Sequence, residues 1–332
     1  MIRALHPQTL RLIALGLALL AVVLFFSTQI DNYLSPRMFN RISTSAAVVL
    51  PVAVGQAIVV ITRNIDLSMG SIMGVVAYMV GEALVLWPGL NPALVILMAM
   101  GLGAIAGSIN GILVAWGRVP SIIVTLGTLA LFRTFLVEHG NARTITADAL
   151  PRWLVDLPQM SLLSLGGLDL RVTVALALAA CLIVGLALSR LRPARKFYAV
   201  GSNPDAALMA GINSARVVFL AFVISGALAG LGGFIFLAKF GNITVVAGMG
   251  FELKAVAAVV VGGVSIMGGS GTMLGVLIGT VLVDTIDNSL TRLPWLSEFW
   301  RDALLGILIM AAVTVDTLAS RSLNRLKRRG GE

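Results

Sequence analysis

The chain has 332 residues, of which 58% are hydrophobic and 12% charged, with a formal net charge of +9. A soluble domain carries about 25% charged residues, so this chain has too little polar surface to meet water on every side and must face lipid. Its basic residues stand at the ends of apolar blocks, a pattern of membrane orientation rather than of nucleic-acid binding.

A membrane helix needs about 20 mostly apolar residues. The first block, 10–30, follows Arg3 and looks like a signal peptide. No small-residue cleavage site follows it, so it is read as a retained first span. Further blocks run over 42–62, 70–87, 93–116, 119–137, 172–190, 216–238 and 302–319. Two others are weaker. Block 253–267 is short and holds Gly262 and Gly263, and block 271–290 carries Asp284 and Asp287 near its end. This pair is expected either to cross the membrane or to form a re-entrant hairpin. The fold class is therefore an all-α membrane protein, a polytopic bundle forming one transmembrane domain over 1–332.

Lysine and arginine in the connectors set the orientation. With the N-terminus inside, one face receives Arg3, Arg11, Arg63, Arg118, the group Arg190, Arg192, Arg195, Lys196 and Arg216, and the tail Arg321, Arg325, Lys327, Arg328 and Arg329, which is 14 of the 24. Both termini are expected in the cytoplasm, with a basic tail over 320–332. The outer connector 138–171 contains Pro151, Trp153, Pro158 and a Gly166-Gly167 turn, which suits an interfacial segment.

The inner connector 191–215 is the most informative. Asn203 is a good cap and Pro204 fits the first helical position. Asp205 in the first turn suits the helix dipole, and Gly211 is a natural stop. A helix of about two turns is too short to stand alone in water. It must rest either on the lipid surface or on a partner.

Enzymatic chemistry has little raw material. The sequence has no HExxH, GxGxxG, GxSxG or Walker A pattern, one cysteine, Cys181, in an apolar block, and two histidines, His6 and His139, outside the blocks. No catalytic residue and no metal ligand set is expected.

DAALMAG at 205–211 resembles the EAA…G loop of ATP-binding-cassette importer permeases, and FYAVGSNPDAALMAGIN around it resembles the loop of the ribose-type sugar permeases. TRNIDLSMGSIMG at 62–74, GRVPSIIVTLGTLALFR at 117–133 and GMGFELKAVAAVVVGGVSIMGGSGTMLGVLIG at 248–279 are similar to the same family, so the likeness covers about 42–318. It implies ten spans, both termini cytoplasmic, a homo- or heterodimer of permease subunits, a cytoplasmic ATPase and a periplasmic sugar-binding protein in a bacterial inner membrane. ATP and magnesium would sit on the ATPase, with no cofactor on this chain. TRNID, the polar residues at 284–288 and RLPWLSEFW at 292–300 point to the autoinducer-2 and rhamnose permeases, with ribose-type pentoses next. The loop residues Asn203, Pro204, Asp205, Ala206, Leu208, Met209 and Gly211 would then couple to the ATPase.

Glycines four apart, Gly103, Gly107 and Gly111, and again Gly271, Gly275 and Gly279, share helix faces and let backbones approach closely. Tight packing is their expected role. Asp66 and Ser68 are read as a structural cap near water at a helix boundary. A sugar path needs hydroxyl and amide partners, which points to Asn110, Thr125 and Thr128, each of which is also read as bonding to nearby backbone. Glu252 and Lys254 at an outer span end are read as a local salt bridge, a gate or a docking point. Asp284 and Asp287 lie three apart on one face, at an outer helix end, where they are read as contacts for substrate, for the binding protein or only for water. The rival reading is a self-sufficient secondary transporter, which would place an acid in mid-membrane. Blocks 42–137 and 216–319 also enter the membrane in opposite directions, a relation both transporter classes share.

Overall fold

A computed structural model describes residues 7–141 and 143–293, with scattered positions between 300 and 314. The tail 320–332 lies outside the described residues, as does most of the span expected over 302–319. The elements in order are α1 (Pro7–Gln29), α2 (Pro36–Ile61), α3 (Met69–Leu86), α4 (Pro92–Ala115) and α5 (Ser121–Gly140). A 3-10 turn (Ala147–Ala149), the short α6 (Arg152–Asp156) and a hairpin of β1 (Ser161–Leu165) and β2 (Leu168–Arg171) follow. Next come α7 (Val172–Arg190), α8 (Arg192–Ser202), α9 (Pro204–Met209), α10 (Ser214–Phe240), α11 (Phe251–Val261) and α12 (Met273–Leu290). Among the described residues, eight helices are long and apolar enough to cross a membrane. The end of the bundle carrying α8 and α9 is called the loop end, and the end carrying β1 and β2 the hairpin end.

Helix starts follow local chemistry. Ser35 accepts from Met38 N ahead of Pro36, and Asn91 accepts from Ala93 N at 2.9 Å ahead of Pro92. The Ser35 cap lets α2 begin six residues before the expected block. The centre is α2: 94% of its most apolar window is buried, against 6% for α1. Every residue from Ala46 to Thr62 is buried. A helix apolar all round must be surrounded by others, and this one packs on α10, α12, α7 and α11.

The closest pairing is α4 against α10. A Cβ built on Gly103 would overlap Gly226 O, one on Gly107 would overlap Phe222 O, and one on Gly230 would overlap Ala99 O. The bare glycine faces thus let the two backbones meet, as the spacing predicts. Gly275 and Gly279 do the same against Gly262 and Ala258, joining α11 to α12. Gly271 departs from the expectation. It precedes α12, in a loop at φ +152, and packs on Val264.

Two spans are broken. After α2 the chain runs without helix from Thr62 to Ser68, and α3 starts beside Ser225, whose hydroxyl meets Met69 Sδ at 3.5 Å. Ser225 is 11 residues into α10, about 17 Å along its axis, so α3 begins deep within the bundle. After α10 the chain turns at Gly241, pairs Ile243 with Ile145, and descends without helix to Gly250. There Ala247 O lies against Gly74 and Gly248 O against Gly70. Those glycines are about 18–24 Å below the hairpin end of α3. The block expected over 253–267 is therefore only the 11-residue α11, too short to cross alone. The non-helical 241–250 supplies the other half of the crossing. The breaks enter from opposite ends, in keeping with the opposed blocks seen in the sequence.

The α4–α10 zipper gives a direct test. Gly107→Leu should destabilise the protein by roughly 1–3 kcal/mol or more through overpacking. Gly101→Leu, on the same helix with nothing within 4 Å of its Cβ, should not. Thermal unfolding in detergent, followed by size-exclusion chromatography, reads the difference.

Candidate translocation site

The first break is built around Asp66. Its Oδ1 accepts from Ser68 N at 2.9 Å and Ser68 Oγ at 2.6 Å, and Asn110 Nδ2 donates to Ser68 Oγ at 2.7 Å. All three residues are 0% exposed. This corrects the expectation of a cap near water. Asp66 holds the turn before α3 from inside the bundle, and the Ser68 side chain caps nothing. Asp66 Oδ2 and Asn110 Oδ1 have no hydrogen-bond partner among the described residues.

Helix α5 closes over this break. Ser121 Oγ accepts from Ile65 N at 3.2 Å, and Thr125 Oγ1 donates to Ile65 O at 3.3 Å. Thr128 Oγ1 donates to Thr125 O at 3.4 Å. Thr125 and Thr128 thus spend their hydroxyls on backbone, while Asn110 keeps a free acceptor.

The second break is held from three sides. Glycines of α3 back it, Arg133 of α5 donates to Ala247 O at 2.6 Å and Val245 O at 3.4 Å, and Glu252 Oε1 accepts from Gly250 N at 3.2 Å. Glu252 reaches Gly70, at membrane depth rather than at an outer span end. It makes no bridge to Lys254. Instead Lys254 Nζ of α11 pairs with Asp287 Oδ2 of α12 at 2.7 Å. Asp284 is 1% exposed and accepts from Ser45 Oγ at 3.1 Å and Asn288 Nδ2 at 3.0 Å. The acids placed by sequence at a helix end are therefore buried in a network linking α2, α11 and α12. Charges at such depth are costly and persist only when paired. Sequence reasoning passed over Arg133 and Ser45; for Arg133 an ionisable residue inside the apolar block 119–137 was the available signal.

At the loop end the inner connector forms two helices rather than one. In α9, Asn203 Oδ1 accepts from Asp205 N at 3.1 Å and Ala206 N at 3.0 Å, and Gly211 ends the turn at φ +76. Leu208 is 67% and Met209 92% exposed, whereas Ala207 is buried. Helix α8 anchors this knob. Arg63, at the first break, donates to Gly201 O at 2.5 Å and Ser202 O at 2.6 Å. Gly269 N donates to Ile61 O at 2.9 Å, and Tyr198 donates to Gly271 O at 2.9 Å. Burial raises the Tyr198 pKa above the ordinary phenol value, so it stays a donor. The knob is thus wired to the C-terminal end of α2 and to the loop that joins α11 and α12.

The sequence pattern of a family described as "branched-chain amino acid transport system / permease component" matches residues 38–313. The chain belongs to this permease family. It is 37% identical over 304 residues to a protein of Yersinia pestis named autoinducer 2 import system permease protein LsrC, covering 91% of this chain and 84% of that one. The protein of that name from Yersinia enterocolitica is 38% identical over 307 residues, covering 91% and 82%. No solved structure matches the chain. The stretch shared with the permease family contains both breaks, the charge network and the α8–α9 knob. The chain is thus a polytopic helical membrane protein of a transport system.

The charge network of this permease carries its own prediction. Lys254→Met removes the 2.7 Å contact to Asp287 from a buried network and should lower the thermal midpoint. Lys254→Met with Asp287→Leu should recover most of that loss. Thermal midpoints in detergent measure both.

Proposed function

We propose that the chain is the membrane-spanning permease subunit of an ATP-binding-cassette importer for a sugar-like small solute, with autoinducer 2 first and rhamnose or a ribose-type pentose next. The observation that carries this reading is the α9 knob. It is capped at both ends, exposes Leu208 and Met209, and is bonded through α8 to both broken spans. A short helix presenting two large apolar side chains to water needs a partner to cover them. A cytoplasmic ATPase with a matching cleft is that partner, and ATP with magnesium belongs to it.

Closing of the ATPase pair would push the knob. Arg63 and Tyr198 would pass the motion to the first break and to the α11–α12 loop, because short backbone hydrogen bonds resist stretching while breaks bend. The solute would arrive from a periplasmic binding protein at the hairpin end of a permease dimer in a bacterial inner membrane. Asn110, with its unpartnered buried carbonyl, is the pathway residue best placed to meet a hydroxyl. Glu252, Asp284 and Asp287 would shape the path through the helices they hold.

The description as a component of a transport system favours this reading over a self-sufficient carrier. So do relatives whose names specify an import system permease. Buried acids no longer separate the two classes, since Asp66 and Asp284 are both inside the bundle. Proteoliposomes holding the chain with its cassette and binding protein should take up autoinducer 2 or a monosaccharide only with ATP. Uptake by the chain alone would overturn the reading. Leu208→Glu with Met209→Glu should lower ATP-driven uptake by about tenfold or more, on the order of one lost interface anchor, while the thermal midpoint stays put.

A further inference from the structure

We propose that the descending segment Thr244–Gly250 is the gate of the solute path at the hairpin end, and that Arg133 is the positioning residue that holds it shut. This rests on the reading of the chain as a permease and adds the element that opens and closes it.

Three observations converge. The first is depth with exposure. Ala247 and Gly248 lie against Gly74 and Gly70, far below the hairpin end of α3, yet Val246 is 58% and Met249 71% exposed. Irregular backbone at membrane depth is tolerated only where protein buries it or water lines it. The α3 side of the segment is packed by glycines. The side carrying Thr244, Val246 and Met249 has no such cover among the described residues, and so it lines an aqueous path.

The second is contrast between the breaks. In the first, Asp66 and Ser68 are fully buried and the Ile65 backbone is bonded to Ser121 and Thr125. That break is the more tightly held of the two. The second break has Gly248 at φ +75 and Gly250 at φ +83, conformations that glycine adopts without strain. It is the one built to bend.

The third is the tether. Arg133 is a cation within the apolar helix α5, and such residues need a reason. Its guanidinium donates to two carbonyls of the segment, Val245 and Ala247, and not to a carboxylate at bonding distance. These carbonyls cannot bond to a helix, so the guanidinium supplies what the broken span lacks. The same helix, two turns toward the loop end, clasps the first break through Thr125. Helix α5 therefore grips both breaks. A tilt of α5 driven from the loop end would draw Arg133 away from Ala247 O, free the segment, and move Val246 and Met249 aside. Glu252, bonded to Gly250 N, marks the hinge about which the segment swings.

The test uses the full-length chain with its cassette partner in right-side-out membrane vesicles without ATP. A Met249→Cys probe is placed in a Cys181→Ala background, and the reagent is a charged, membrane-impermeant thiosulfonate. The probe should react from the hairpin side. Arg133→Met should raise its rate by about tenfold, as expected for loss of one charge-assisted hydrogen bond. Arg133→Gln and Arg133→Lys, which keep donors, should fall in between; a purely structural role would not grade the rate by donor number. A probe unreactive from the hairpin side places Met249 against lipid or protein and overturns the path-lining assignment. A reactive probe whose rate ignores all three Arg133 substitutions overturns the tether, and the Lys and Gln variants decide this even if Arg133→Met does not assemble. These readouts need neither solute nor nucleotide. A gate that behaves as expected in a chain that imports no sugar-like solute would sink the functional reading alone.

Discussion

Inside a bilayer, every peptide N–H and C=O must find a partner in protein or in trapped water. This constraint shapes the permease more than any single contact. Regular helices meet it by themselves, and eight long helices among the described residues do so. The cost falls on Thr62–Ser68 and Gly241–Gly250, where the chain runs without helix until α3 and α11 begin in mid-bundle. Side chains from elsewhere must stand in for the missing turns. Ser121 and Thr125 serve the first stretch, Arg133 and Glu252 serve the second, and glycines of α3 bring their own backbone close enough to seal the gap.

The division of labour follows from packing. The α4–α10 glycine interface is backbone on backbone and has no side chain to rearrange, so it behaves as a rigid frame. The broken spans hang within that frame. Their ends are joined to α8 by short bonds of Arg63 and Tyr198, and Gly269 N ties the α11–α12 loop to Ile61 O at the end of α2, which makes the α8–α9 knob continuous with the parts most able to move. The ionic network of Lys254, Asp287 and Asp284 sits on the far side of α11 and fixes it to α2 and α12. A buried network of this kind gives register more than stability. Here it keeps an 11-residue helix at one height, though too few turns hold it by themselves.

Much of this can be read from the amino-acid order. Apolar runs of about 20 residues located α1 to α5, α7 and α10 because lipid imposes that length. Asn203-Pro204 and Gly211 gave the ends of α9, since capping is local chemistry. Glycines at four-residue spacing gave the α4–α10 face. What could not be read depends on tertiary neighbours. The half-length of α11 follows from a stretch whose depth is set by Gly70 and Gly74, far away in sequence. Asp284 and Asp287 looked like a wet helix end because hydropathy cannot see Lys254 and Ser45 arriving from other helices. Asp66 looked like a surface cap for the same reason. Gly271 shared the spacing of a helix face but precedes the helix, since Thr272 caps it one residue later.

All of this requires that the knob and the hairpin stand on opposite sides of one membrane, with the knob inside. Single cysteines at Leu165→Cys and Met209→Cys, in a Cys181→Ala chain in intact cells, measure it with an impermeant maleimide. The account predicts labelling of position 165 in intact cells and of position 209 only after the membrane is opened. Labelling of position 209 from outside, or of both positions from the same side, would contradict it.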